Sequence, residues 1–519
     1  MKWISVVCIL LLSLKVESAL TPEAQTYLNK IPERKLTLPY VIKVALLNAS
    51  AYKIIGLNYM TADLEKQAKI DPQTDTYLTG GTNYTDDNSA KTNGFQPARS
   101  KQFNWNLGVA KSWSSGTTTS LNWFQESNNL EFANLGPGFG NVFITNYKQS
   151  VASVNIEQKL LKDSFGYALR KREQATEARS DSIKWQSRDQ FETATIEIIN
   201  LFYNAWLLQE QVKSLTEQVE RQKKLVKIMT RRARKGAVEK PDLIQIEALL
   251  ASLKTRLSQV RASLDYQWDN LVIQLKLPKS FLAIDPMDVP TAIDNPVPLG
   301  IRVCGQKEPS KTAAVFTLEK QLEGLDADFQ ASKNESLPDL KLVAGYQGNS
   351  IDGSAGTNFD NVMRGRVNNG FGLGPSWTVG LKLEFPLDNS AARAERAKNF
   401  ISREQVSTQL ISEVDNLKTR WRKACRDLKT EWENSKIYQN VVLEQKKRVK
   451  AQDRRFRLGR VSVNELVVAE DDLGSWQFQN QQKAVQVRLL AWQVQQYSGE
   501  LYRQLSPYVQ QRLKEAQEL

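Results

Sequence analysis

The chain has 519 residues, of which 24% are charged and 41% hydrophobic, and it contains no histidine. Its mean hydropathy of −0.46 excludes a polytopic helical membrane protein, because each spanning helix needs about 20 mostly apolar residues. Without histidine the chain lacks the commonest general base and most zinc and haem ligands, and its three cysteines cannot build a disulfide scaffold. We therefore expect no enzyme, metal or cofactor. The net charge of +13 suggests nucleic acid, but no nucleic-acid-binding motif is present, so we expect no such partner.

The N-terminus has the features of a signal peptide, residues 1–18. Lys2 supplies the positive charge, residues 3–14 form an apolar core too short to span a bilayer, and small residues surround a cleavage site after Ser18. A buried N-terminal helix is the alternative. No later segment offers about 18 uninterrupted apolar residues, so we expect an exported chain that is either soluble or a β-barrel.

An internal repeat with an offset of 223 residues organises the chain. The basic segments 231–238 and 454–461 align, and each contains one glycine, Gly236 or Gly459. The alignment continues from residue 222 to residue 250 of the first copy. Two copies indicate a tandem duplication, because a solenoid needs at least about three repeats.

Each copy is predicted to be a long helical hairpin. Apolar residues recur every three or four positions from 250 to 275, which is the spacing of a coiled-coil seam. Gly236 and Gly459 suit the left-handed position after a helix. The spans 166–236 and 390–459 are each about 70 residues, or ~105 Å if helical.

Short segments with a period of two residues precede each hairpin, and this alternation predicts β-strands. The candidate strands are 76–84, 103–111, 117–124, 151–161, 340–345 and 377–387. Apolar residues on one face are what a transmembrane barrel strand needs, with the polar face toward a lumen. A half-buried sheet of a soluble protein is the alternative that alternation leaves open.

The order of these elements resembles the TolC-like outer-membrane efflux protein family. The matching segments are 36–46, 158–161, 377–393 and the two tips, above all 457–462, and the resemblance extends over residues 36–504. It implies a mainly α fold with transmembrane β: a duplicated unit of β-hairpin plus long coiled-coil helical hairpin, in a trimeric outer-membrane β-barrel continued by a periplasmic α-helical barrel. The chain departs from the family in an extra strand pair in the first half, in unusually basic tips and in Pro241.

The resemblance also implies a function and partners. The chain would be the outer-membrane duct of a tripartite efflux or type I secretion system in a Gram-negative bacterium, with a large periplasmic part. Its partners would be a periplasmic adaptor (membrane fusion) protein, an inner-membrane pump and outer-membrane lipid. The alternative is a secreted or surface coiled-coil structural or adhesion protein without a pore. The glycine-rich run 136–140 opens no helix after a strand and indicates a loop.

The expected organisation follows the chain from end to end. We expect a signal peptide (1–18), an N-terminal helical segment (19–70), a first β region with a long extracellular insertion (71–162), a first periplasmic helical hairpin with its tip near 236 (163–276), an equatorial connector (277–312), a helix (313–336), a second β-hairpin (337–388), a second periplasmic helical hairpin with its tip near 459 (389–504) and a C-terminal tail (505–519).

The resemblance places candidate functional residues at both tips. The candidate adaptor contacts are Arg234, Gly236, Val238, Arg457, Leu458, Gly459, Arg460 and Ser462. The alternative is that these residues only cap a turn, since glycine and C-terminal arginines are favoured there for local reasons.

Two further features follow from the resemblance. Glu465 is placed at the closed pore entrance as an acidic ring, whereas simple compensation of the helix dipole is the alternative. Asp242 is the equivalent residue in the first copy and is expected to stabilise the start of its own helix. Only one acidic residue of the duplicated pair is then needed for a helix, so Glu465 is expected to face the lumen. Cys304 lies in the connector, which in the family packs around the level of Cys425, so the two either form a disulfide or remain free thiols.

Overall fold

The computed structural model describes residues 35–91, 96–132, 145–235, 240–306, 308–352, 375–505 and 507. The predicted signal peptide, the glycine-rich run 136–140 and most of the predicted tail lie outside these residues. The chain divides into two compact units. The sheet unit comprises Thr61–Ile183 and Thr317–Leu410, and the helical unit contains the remaining described residues.

The predicted strands are present. In chain order the strands are β1 (Leu36–Thr37), β2 (Thr76–Asp87), β3 (Arg99–Ser112), β4 (Thr117–Glu131), β5 (Asn146–Lys159), β6 (Thr291–Ala292), β7 (Asp339–Asp352) and β8 (Ser376–Glu384). The short strands β1 and β6 pair in parallel in the helical unit. The other six form one antiparallel sheet in the order β2-β3-β4-β5-β7-β8. The six predicted strands are therefore confirmed, although β2, β3, β4 and β7 continue beyond their predicted ends and β5 and β8 end before theirs.

The turn between β3 and β4 is held against the segment that follows β5. Gly116 and Gly166 both adopt positive φ, of 70° and 74°. A Cβ on Gly166 would lie 1.9 Å from the carbonyl oxygen of Ser114, and one on Gly116 would lie 2.5 Å from the nitrogen of Gly166. The Arg170 guanidinium also donates to the Ser114 oxygen at 3.1 Å. Only glycine permits this backbone contact, which fixes one end of the β3–β4 hairpin.

The helices are α1 (Leu38–Asn48), α2 (Ser50–Thr74), α3 (Tyr167–Arg234), α4 (Lys240–Gln274), α5 (Val297–Cys304), α6 (Ala313–Glu335), α7 (Ser390–Arg457) and α8 (Val463–Tyr497). The long helices α3 and α7 have 68 residues each, and the return helices α4 and α8 have 35 each. The predicted long helices are thus confirmed, whereas the internal duplication stays a prediction.

The N-terminal helical segment ends later than expected. Helix α2 continues to Thr74, beyond the predicted boundary at residue 70, although it contains Pro72. Proline has no N–H to donate to the carbonyl four residues earlier, and the helix ends two residues after Pro72. The Gln73 side chain donates to the Lys69 oxygen at 2.8 Å, and the Tyr77 hydroxyl donates to the Pro72 oxygen at 2.9 Å.

The predicted connector contains a helix, α5, that was not expected from the sequence. Its residue Gly300 packs closely against two long helices: a Cβ there would lie 3.0 Å from Leu428 on α7 and 3.1 Å from the Ala491 side chain on α8. Upstream, the buried Gln209 side chain on α3 donates to the oxygens of Pro286 and Val289 at 2.7 and 3.0 Å. These contacts hold the connector onto the long helices of the helical unit.

The core of the helical unit contains a buried carboxyl group. Glu192 on α3 is 4% exposed, and no cation pairs with it in the described part of the chain. Burial, with the nearby negative charge of Asp189, raises the pKa of Glu192 to about 8. The unfolded chain would hold this carboxyl near its ordinary pKa of about 4.3.

This difference predicts how stability depends on pH. The folded state keeps a proton on Glu192 that the unfolded chain has lost, so stability falls as pH rises from about 4.3 through about 8. We expect Glu192→Gln to melt like the wild type at pH 5 and at a higher temperature at pH 9. Thermal unfolding of the purified protein in detergent measures this. The exposed Glu197→Gln is the control, and a Glu192→Gln effect that is equal at both pH values would contradict the assignment.

Candidate functional site

The second tip is a compact turn built by two helix caps. Helix α7 ends at Arg457, and Gly459 follows with a φ of 70°. The Gly459 N–H donates to the Phe456 oxygen at 3.0 Å, and the Arg460 N–H donates to the Arg455 oxygen at 2.9 Å. This pair of bonds is a Schellman motif, so Gly459 occupies the position that the sequence predicted for it.

The following helix begins with a capping box. Ser462 is the N-cap of α8: its hydroxyl accepts from the Glu465 N–H at 3.3 Å, and its own N–H donates to the Glu465 carboxylate at 3.4 Å. We expected that Glu465 would not be needed to stabilise its own helix. This expectation is wrong, because its carboxylate accepts a hydrogen bond from the Ser462 N–H, which has no partner within the helix. Its side chain is nevertheless exposed. Whether it faces a lumen stays a prediction.

The first tip is described up to Lys235 and again from Lys240. The two predicted contacts Gly236 and Val238 lie outside the described residues. Arg234 is the last residue of α3 and is exposed.

The two tips pack on each other through an apolar cluster, which we call the paired-tip cluster. Its buried members come from all four helices of the two hairpins: Leu225, Met229, Ile246, Phe456, Val463 and Leu466. Next to this cluster, the Arg232 guanidinium of α3 lies 4.9 Å from the Phe456 ring centroid. It also donates to the Arg457 backbone oxygen at 3.5 Å. The Gln245 amide of α4 donates to Asn464 of α8 at 3.3 Å. The predicted contact residues of the second tip therefore stand beside the end of α3 on one surface.

The residues that join the tips were not predicted from the sequence. Phe456 interrupts a run of arginines, and its equivalent in the first copy is Ala233. The sequence feature that could have predicted this contact is the aromatic residue at only one of the two equivalent positions. It indicates that the second tip supplies the large side chain that fills the space between the two tips.

The surface around this cluster is positively charged. Six exposed or half-exposed basic residues form no ion pair with another described residue: Arg231, Arg234, Lys235, Arg454, Arg455 and Arg460. Arg457 pairs with Asp453 at 3.0 Å. Leu458 is 68% exposed between these charges. A surface of free cations around an exposed leucine suits a partner with an acidic face and an apolar pocket.

Away from the tips, a disulfide joins Cys304 at the end of α5 to Cys425 on α7. The two Cα atoms are 5.6 Å apart, within the usual range for a disulfide. The sequence left this bond and two free thiols as alternatives, and the structure has the bond.

The disulfide closes a loop with a sequence separation of 121 residues, so its removal should be costly. We expect Cys304→Ser combined with Cys425→Ser to lower the free energy of unfolding by about 2–4 kcal/mol, because the unfolded chain gains conformational freedom. Thermal unfolding with and without reductant measures this: reductant should lower the melting temperature of the wild type only. Mass spectrometry of non-reduced peptides is the control, and two alkylatable thiols in the native protein would contradict the bond.

Within the described residues, no group of three or more cysteine, aspartate or glutamate side chains has the arrangement of a metal site. No single described helix has the length and apolar character needed to cross a membrane. The pair α1 and α2, bent by 54°, passes that test by length and composition.

Comparison with known proteins gives one positive result. No protein-family model matches the sequence, and no curated protein matches it. Solved structures do match: the outer membrane protein VceC of Vibrio cholerae has a TM-score of 0.61 and 13% identity, over 88% of this chain and 94% of that one. The CmeC outer membrane channel of Campylobacter jejuni has a TM-score of 0.61 and 13% identity, over 93% and 90%.

A third match is the MtrE outer membrane channel of Neisseria gonorrhoeae, with a TM-score of 0.58 and 12% identity, over 89% and 88% of the two chains. This chain has the fold of an outer-membrane channel. The TolC-like resemblance is thereby confirmed at the level of the fold, including the mostly helical architecture with a sheet.

Proposed function

We propose that this chain is the outer-membrane duct of an export system in a Gram-negative bacterium. The observation that carries the proposal is the likeness to outer-membrane channels over 88–93% of the chain. The duct would receive substrates from an inner-membrane pump and adaptor, in tripartite efflux or type I secretion, and pass them across the periplasm and the outer membrane.

The long helices support a homotrimer. Several large apolar side chains of α7 are exposed in the single chain, among them Ile411, Ile437 and Leu443. Leu253 and Leu257, part of the predicted seam of α4, are only half-buried. A coiled-coil seam without a partner helix is unfavourable in water, and association with further copies covers it. Three copies would enclose a helical barrel below the shared outer-membrane barrel.

The paired tips are the proposed docking surface for the adaptor. Arg234, Arg457, Leu458 and Arg460 would provide the contacts, while Gly459 and Ser462 shape the turn that presents them. Gly236 and Val238 would contribute from the first tip. The free positive charge on this surface favours an adaptor tip that carries acidic residues.

The test is to delete the gene and follow both the protein and its cargo. A tagged copy should restore export and fractionate as a trimer in the outer membrane. Accumulation of ethidium in cells reports efflux, and mass spectrometry of the culture medium reports secreted proteins. A tagged protein recovered as a soluble periplasmic monomer, with unchanged efflux and secretion in the deletion strain, would contradict the proposal and favour the structural protein.

Glu465 gives a separate prediction about the pore entrance. Three copies on the trimer axis would form an acidic ring that attracts cations. Glu465→Gln removes the charge but keeps a side-chain acceptor for the Ser462 N–H, so the capping box remains. We expect a reduced cation preference in planar bilayers, measured as the reversal potential across a salt gradient, with the melting temperature unchanged. An unchanged reversal potential would remove Glu465 from the pore.

A further inference from the structure

The two additional strands, β3 and β4, continue the surface pattern of the rest of the sheet. The strand register aligns one row of side chains across all six strands, and every member of that row is apolar: Leu78, Val109, Leu121, Val154, Tyr346 and Trp377. On β3, the residues on either side of Val109 on the same face are Leu107 and Lys111. The apolar part of this strand therefore ends at a charged residue near the β3–β4 turn. One apolar row therefore runs without interruption from β2 to β8.

The neighbouring row, on the opposite face of the sheet, has a different composition. The adjacent row consists only of glycine and polar residues: Thr79, Gly108, Asn122, Ser153, Gln347 and Ser376. The change from an apolar to a polar row is thus the same on β3 and β4 as on the other strands. A wall between lipid and water requires this alternation on every strand.

The β3–β4 hairpin is also long enough to cross a bilayer, and its neighbours hold it in the sheet. β3 has 14 residues and β4 has 15, whereas a tilted strand needs about 9–11 to cross a bilayer. Both strands pair along their full length with their neighbours, and their turn is fixed by the Gly116–Gly166 contact. The hairpin is therefore an integral part of the sheet.

The sheet has two open edges that carry exposed apolar side chains. Leu78 on β2 is 71% exposed and Trp377 on β8 is 76% exposed. They stand at opposite ends of the same row. Unpaired strand edges are not tolerated within lipid, so the two edges must find partners. With identical copies, β8 of one chain would pair with β2 of the next.

We infer that all six strands of each chain span the membrane, so that three copies close a barrel of eighteen strands rather than the twelve that two hairpins per chain would supply. The inference rests on the proposed trimeric duct and specifies the strand number and width of its barrel. Barrel diameter grows roughly linearly with strand number, so the outlet would be about 1.5 times as wide as a twelve-stranded one. Barrels of 16–18 strands leave an aqueous channel, so this outlet suits bulky cargo.

Single cysteines on neighbouring rows test whether β4 belongs to the wall. We would introduce Leu121→Cys and Asn122→Cys on β4, with Val154→Cys and Ser153→Cys on β5 as matched controls in the same rows. The native Cys304 and Cys425 are paired, and the third cysteine, Cys8, lies in the predicted signal peptide, so native thiols do not interfere. Trimers in lipid vesicles would be treated with a membrane-impermeant, cationic thiol reagent.

We expect modification of the cysteines at 122 and 153 and at least tenfold slower modification of those at 121 and 154. Rapid modification at 121, with protection retained at 154, would place β4 outside the wall and overturn the inference while leaving the duct intact. Rapid modification at both 121 and 154 would contradict the membrane sheet itself, and the inference with it. Electron cryomicroscopy of the wild-type trimer provides a test free of substitutions, because eighteen strands support the inference and twelve overturn it.

Discussion

Gly166→Ala should prevent the sheet unit from folding. The new Cβ would lie 1.9 Å from the Ser114 oxygen, a distance that no real contact shows, and the obstacle is backbone rather than a movable side chain. The residue also adopts a φ of 74°, where an L-residue costs about 1–2 kcal/mol before any clash. Relief would require the β3–β4 turn to leave its place. We expect a loss of more than about 4 kcal/mol, which places the substitution among the exceptional single changes.

The outcome is measured as the amount of heat-resistant trimer recovered from outer membranes. Gly80→Ala on β2 is the matched control, because its Cβ would meet its nearest neighbour, the Asn106 oxygen, at an ordinary 3.6 Å. Near wild-type recovery of Gly166→Ala would show that the Gly116–Gly166 contact does not hold the hairpin in place.

Gly459→Trp should abolish export while leaving the trimer intact. A Cβ at Gly459 meets nothing within 4 Å, so the large side chain projects into the space where a docking partner would sit. The positive φ of 70° adds about 1–2 kcal/mol of strain, confined to an exposed turn. Cargo accumulation in cells measures the loss of export, and trimer recovery from outer membranes measures assembly.

Gly459→Asn separates docking from turn geometry. Asparagine tolerates the left-handed conformation and is small, so this variant should retain most export. Wild-type export by Gly459→Trp would contradict docking at this tip. Equal loss of export in both variants would assign the effect to the conformation of the turn.

The elements were predictable from the sequence because their signals are local. Alternation identified all six strands of the sheet, and the spacing of glycines and seams identified α3, α4, α7 and α8. The capping box was also visible, since Ser462 precedes Glu465 by three residues, the spacing of that motif. The resemblance instead implied a lumen position for Glu465, although its carboxylate takes part in the capping box.

The long-range contacts were not predictable in the same way. Nothing near Gly116 or Gly166 in the sequence indicates that they meet, because the contact depends on the register of three strands. The paired-tip cluster likewise joins residues more than 200 positions apart, such as Met229 and Phe456. Helix α5 was missed because eight residues are too few to display a helical period.

The Cys304–Cys425 bond makes a covalent ring of the chain between its two ends, with α6, β7, β8 and the first half of α7 inside it. During secretion Cys304 would emerge first and remain a thiol until Cys425 followed. Oxidation would therefore come only after the second strand pair had been translocated, and that strand pair would enter the outer membrane as part of a closed ring. A single proteolytic cut inside the ring would leave both fragments attached until a reductant separated them.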